Sequence, residues 1–168
     1  MKKIFLLLAG ATFILASCGS KSGGTSDKAK KNAEASDIVA SALQSGDTSK
    51  INDAVAADFV DHTDMGDKNR DSLKAMVLWA KANNSDMKFE KKAQTANDEW
   101  CMTWYNISGT SNGEMGMPKG PYTMNSIEVV KFNADSKAIE HWSFVSMAET
   151  MKMMQSMMPA PTMKDTTK

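Results

Sequence analysis

The chain has 168 residues, with 20 basic and 20 acidic side chains and a formal net charge of zero. Such a balance leaves no basic face, so nucleic acid is not an expected partner. The length suits one domain with a real hydrophobic core.

Residues 1–17 read as an address and not as fold. "MKK" is a short cationic start, and "IFLLLAGATFILA" (4–16) is apolar but too short to span a membrane comfortably. The run ends in "LASC", with Cys18 last. This resembles the lipobox of bacterial lipoproteins, which implies cleavage before Cys18 and lipidation of that cysteine. Several acyl chains on one residue would hold the chain stably at a membrane. Gly19, where an aspartate would retain the protein at the inner membrane, implies the outer membrane of the cell envelope. "GSKSGGTSDKAKKNAEAS" completes a segment, 18–36, expected to be a flexible tether, because it has no large apolar residue to offset its ordering entropy. Without Lys2 and Lys3 the mature chain carries 18 basic against 20 acidic residues, a net of −2. Cys101 is then the sole free thiol, expected to be buried and unreactive in an apolar strand.

The folded domain is expected over 37–158, helices first. Ile38, Val39, Ala42 and Leu43 fall at helical spacing, and "SGDT" (45–48) stops the run. A short helix follows with Ile51, Ala54 and Val55. "DFVDHTDMGD" (58–67) reads as a polar connection after the anchor Phe59. A third helix, about 69–83, places Leu73, Met76, Val77 and Ala80 on one stripe.

The back half alternates with period two. Strands are expected over 87–94, 99–109, 122–132 and 138–146, with a Gly/Pro-rich connection at 110–121 long enough to serve as a lid. In the second strand Trp100, Met102, Trp104 and Asn106 share one face, and Cys101, Thr103, Tyr105 and Ile107 the other. Helices followed by strands predict an α+β domain on a curved antiparallel sheet.

"FVDH" (59–62), "SGT" (108–110), "GEMGMPKG" (113–120), "IEVVKF" (127–132) and "IEHW" (139–142) occur in an order and spacing that resembles the SnoaL-like polyketide cyclase family of the nuclear transport factor 2-like superfamily. The resemblance spans about residues 37–155. It implies a cone-like fold, with helices packed in a strongly bent sheet and a pocket open at one end. Family cyclases close a ring by moving a proton beside a carbonyl, which needs an acid–base group in a dry pocket. The resemblance implies that this group is an aspartate directly after the histidine–tryptophan pair. Here that position is Ser143, and a second family aspartate corresponds to Ser146. A serine hydroxyl has no useful basicity unless another base activates it. The expectation is therefore capture of a small apolar molecule without turnover.

Candidate pocket residues are His62, Trp79, Trp104, Tyr122, His141 and Ser143. The aromatic side chains would supply apolar area, with His141 and Ser143 orienting a polar group. The alternative is a cyclase, isomerase or hydrolase using His62 or His141 as base. The commoner role of a histidine beside Asp61 or Asp64 is a structural clasp, and that role is expected here. No Cys/His spacing suits a metal, and no cofactor is implied.

Seven of the 15 methionines lie in 147–163. Met147, Met151, Met154 and Met158 form one helical stripe, expected to pack this helix on the sheet or against a second copy of the chain. Soft thioethers also suit Cu(I), but helical periodicity already accounts for most of the positions. Residues 159–168 read as a loose tail.

Overall fold

The structure is a computed structural model, and it describes residues 25–114 and 117–157. The segment expected to be a signal peptide, Cys18, the start of the expected tether, Met158 and the expected tail lie outside the described residues.

The first helix begins well before its expected start. α1 runs Asp27–Ser45, through ten residues assigned to the tether. The reason is local chemistry that outweighs low hydrophobicity. The Ser26 hydroxyl accepts the Ala29 N–H at 3.0 Å, Asp27 sits in the positive first turn, and small residues let the helix lie close to the sheet. Ala29, Asn32, Ala35 and Ser36 are buried there. Gly46 ends α1 in the left-handed conformation, φ 81°, its N–H returned to the Ala42 carbonyl. α2 (Ile51–Ala54) follows, then β1 (Val55–His62). β1 corrects the polar connection expected at 58–67. Val55, Phe59 and Asp61 point into the molecule, so an inward carboxylate disguised a strand as a loop. A two-residue strand, β2 (Lys68–Asn69), leads to α3 (Arg70–Asn83). Asn69 caps α3 by accepting the Ser72 N–H at 2.9 Å. The helix buries Leu73, Val77 and Ala80.

Three long strands then run antiparallel: β3 (Asn84–Ala96), β4 (Trp100–Ser111) and β5 (Gly120–Phe132). β4 and β5 reach further into the expected 110–121 loop, leaving residues 112–119 between them. β6 (Ala138–Val145) completes a six-stranded, unclosed sheet of order β2-β1-β6-β5-β4-β3. Not every pair is antiparallel: β1 and β6 run parallel, Asp61 opposite His141 and His62 opposite Trp142. Bulges in β3 and near the start of β6 help to bend the sheet round the helices.

The core lies between the concave face and helices α1–α3. It contains Ile51, Val55, Phe59, Leu73, Val77, Cys101, Val130, Phe132 and Ala138. Cys101 is 1 % exposed and unpaired, as expected. The β4 faces also separate as expected, and the inward set is Cys101, Thr103, Tyr105 and Ile107.

α4 (Met147–Met157) does not lay its methionine stripe on the sheet, the first of the two packings expected for it. Glu149 accepts the Asn125 backbone N–H at 2.8 Å and its side-chain amide at 2.7 Å, which ties one side of α4 to β5. At 100° per residue the stripe of Met147, Met151 and Met154 lies on the opposite side. These three side chains are 74 %, 52 % and 57 % exposed.

Candidate functional site

A cavity of about 310 Å³ opens between α1, α3 and the concave face of the sheet. Its walls are apolar: Val39 and Leu43 from α1, Phe59 from β1, Leu73 and Met76 from α3, Phe89 from β3, Tyr105 and Ile107 from β4, and Val130 from β5. The polar groups concentrate on one patch, where Asp61, Glu128, His141 and Ser143 meet.

Strand register builds this patch. Asp61 on β1 pairs with His141 on β6, and His141 pairs on its other side with Val130 on β5. One step along, Glu128 pairs with Ser143 and with Thr103. Since side chains alternate, Ser126, Glu128, Val130 and Phe132 all face inward, as do His141 and Ser143. Three strands, β1, β5 and β6, therefore deliver two carboxylates, an imidazole and two hydroxyls to adjacent positions.

His141 stands at the centre. Its Nδ1 lies 2.8 Å from Asp61 Oδ1 and its Nε2 lies 2.7 Å from Glu128 Oε2. Burial works against a charged imidazole, but hydrogen bonds to Asp61 and Glu128 and the attraction of both carboxylates outweigh it, raising the His141 pKa to about 9. At neutral pH the ring is thus an imidazolium donating from both nitrogens. Ser143 donates to Glu128 Oε1 at 3.1 Å, and Ser126 donates to the same oxygen. The two serine hydroxyls lie 3.0 Å apart. Tyr105 is 4 % exposed, and its hydroxyl has no protein hydrogen-bond partner.

This arrangement limits the chemistry. His141 has no free lone pair, so it cannot take a proton or ligate a metal while the clasp holds. Glu128 already receives three donors. Among the described residues no group of three His, Cys, Asp or Glu side chains is arranged to hold a metal ion.

Of the six expected pocket residues, His141 and Ser143 line the cavity and four stand outside it. His62 follows Asp61 in a strand, and alternation turns it to the opposite face. There it stacks on Trp142 at 4.6 Å, with Nδ1 2.9 Å from Asp67 and Nε2 3.3 Å from Glu140. Burial opposes its charged form, yet hydrogen bonds to Asp67 and Glu140 hold its pKa above the ordinary value. Trp104 is 48 % exposed on the outer face, and its indole N–H donates to Asn125. Tyr122 lies over Gly109, where an added Cβ would stand 2.9 Å from the phenol oxygen. Trp79 is half-buried and off the stripe of Leu73, Val77 and Ala80 that packs inward. Asp61 was expected only as a carboxylate clasping a histidine, and it does so with His141; Glu128, Ser126 and Tyr105 escaped the sequence reading. Glu128 had a signal: in "SIEVVKF" it shares its face with Val130 and Phe132, which are core residues.

Solved structures share this fold at low sequence identity. TsrD from Streptomyces laurentii superposes with a TM-score of 0.66 at 12 % identity, over 76 % of this chain and 96 % of that one. An NTF2-like protein from Anabaena variabilis gives 0.62 at 14 % identity, over 74 % and 93 %. A SnoaL-like polyketide cyclase from Agrobacterium tumefaciens gives 0.62 at 12 % identity, over 73 % and 97 %. No curated protein sequence matches the chain. The family model described as SnoaL-like polyketide cyclase matches residues 33–154, most of the folded domain and more than half of the chain. With helices set in a bent, unclosed sheet and a cavity between them, the chain belongs to the SnoaL-like polyketide cyclase family, within the NTF2-like fold.

Proposed function

We propose that this domain captures a small, largely apolar molecule without turning it over, and does so at the bacterial cell envelope, tethered to the outer membrane through lipidated Cys18. The observation that carries the reading is that His141, Glu128 and both serine hydroxyls are committed to one another inside an apolar cavity, which leaves acceptor capacity on Asp61 but no free imidazole. Cyclase chemistry requires a base free to take a proton from carbon. The position after the histidine–tryptophan pair is a hydroxyl, Ser143. The nearest imidazole already donates from both nitrogens, and the nearest carboxylate, Glu128, already accepts from His141, Ser126 and Ser143. Such a patch orients a polar group while the apolar walls supply most of the contact. The lipid anchor rests on the spacing of the cationic start, apolar run and "LASC".

The test is native mass spectrometry of the protein purified from its own envelope. A small molecule that co-purifies, and is lost when Ile107→Trp fills the cavity, is the expected result. Turnover of a carbonyl compound that stops on His141→Gln or Glu128→Gln would overturn the reading.

A second reading, assembly with another copy of the chain, is favoured by the outward methionine stripe of α4. On the outer sheet face Trp104, Ile127 and Phe144 also form an exposed apolar row, paired across β4, β5 and β6. Sedimentation velocity of the wild type and of Met151→Gln/Met154→Gln separates the cases, a dimer lost in the variant being the expected result of this reading.

A further inference from the structure

The charges that line the cavity define what it accepts. Among the described residues its ionisable lining side chains are Asp61, Glu128, His141 and the Tyr105 phenol, with no lysine or arginine. Two carboxylates and one imidazolium sum to −1. With a neutral imidazole the sum is −2, so the sign does not depend on the state of His141. Asp61 is 5 % exposed, and the Asp61, Glu128 and His141 side chains are 7 %, 17 % and 22 % exposed, which limits screening by water.

The hydrogen-bond inventory points the same way. The donors of the patch are committed: both His141 nitrogens to carboxylates, and the Ser126 and Ser143 hydroxyls to Glu128. Acceptor capacity is left over. Among the described residues no protein donor reaches Asp61 Oδ2, and carboxylate oxygens take more than one bond each. An incoming carboxylate or phosphate would meet like charge, and the unpartnered Tyr105 hydroxyl could give it one neutral hydrogen bond, which does not offset that charge. An incoming N–H⁺ group would meet opposite charge and open acceptors. The surrounding rings of Phe59, Phe89 and Tyr105 add faces that attract cations. The volume, about 310 Å³, lies at the small end of ligand cavities, which run roughly 300–1,000 Å³.

We propose that the occupant of this cavity is a small hydrophobic organic amine, protonated at neutral pH. Its ammonium faces Asp61 and Glu128, and its hydrocarbon part lies among Val39, Leu43, Phe89 and Ile107. The inference rests on the reading of the cavity as a capture site and names the ligand class.

The experiment titrates the purified full chain by calorimetry with three probes of one shape and different charge: 2-phenylethylamine, 2-phenylethanol and 3-phenylpropanoate. The amine is expected to bind at least ten-fold tighter than the alcohol, with the propanoate weakest. Glu128→Gln should remove most of the amine's advantage over the alcohol. If that variant fails to fold, Asp61→Asn serves in its place, and the order of the three probes on the wild type stands by itself. An alcohol as tight as the amine, or a tighter propanoate, would sink the amine inference and leave capture intact. Silence from all three probes at millimolar concentration would overturn both.

Discussion

Raising the pH should unlock the clasp that joins β1, β5 and β6. His141 has a pKa of about 9 in the folded chain, against about 6.5 in an unfolded one. A group whose pKa is raised on folding stabilises fully below its unfolded value, and that stability is lost as pH climbs through the folded value. The window for His141 is therefore pH 6.5 to 9. The shift corresponds to about 3 kcal/mol at 1.36 kcal/mol per unit, and residual solvent at a side chain 22 % exposed makes about 2–3 kcal/mol the better expectation. With a urea slope of about 2 kcal/mol per molar, the unfolding midpoint should fall by about 1–1.5 M between pH 6.5 and 9.5. His62 titrates in the same direction, so the measurement belongs in a His62→Gln background. His141→Gln should start lower and lose most of the slope, because the neutral amide cannot follow the proton. A midpoint that stays level across the window would refute the argument. So would parallel slopes in the two proteins, since some other group would then carry the linkage.

Three further outcomes follow from the packing. Glu128→Gln should cost about 2 kcal/mol of unfolding free energy, because it removes the shared charged acceptor of His141, Ser126 and Ser143; denaturant unfolding at pH 7 reads it. Gly46→Ala should cost about 1 kcal/mol or more: φ is 81° and a Cβ would stand 2.7 Å from Lys81 Cγ, so a lowered thermal midpoint is expected. Val77→Ala, at a fully buried site facing the core, should cost about 2 kcal/mol in the same assay, whereas Met151→Gln on exposed α4 should move the monomer by less than about 0.5 kcal/mol.

Local pattern carried the broad architecture. Helical spacing in α3 and alternation in β4 are imprinted by burial on one face, so Leu73, Val77 and Cys101 could be placed inward from sequence. The family resemblance is what places His141 and Ser143 inward, and the expectation of Trp104 in the pocket picks the wrong face of β4, since Tyr105 lines the cavity. The ordered motifs carried the family. Two elements were misread because their signals were not hydrophobic. The first ten residues of α1 bury alanine, asparagine and serine, and β1 turns Asp61 into the core.

What only tertiary structure decided is the composition of the site. Asp61 and His141 are 80 residues apart, and they meet because β1 and β6 pair in parallel at one register; a shift of one residue would bring His62 inward in place of Asp61. Glu128 joins them through the β5–β6 register. Sequence alone determines which side chains share a strand face, because alternation is a property of the single chain. It does not determine which faces are laid side by side, because that depends on the packing of all six strands and the helices they enclose.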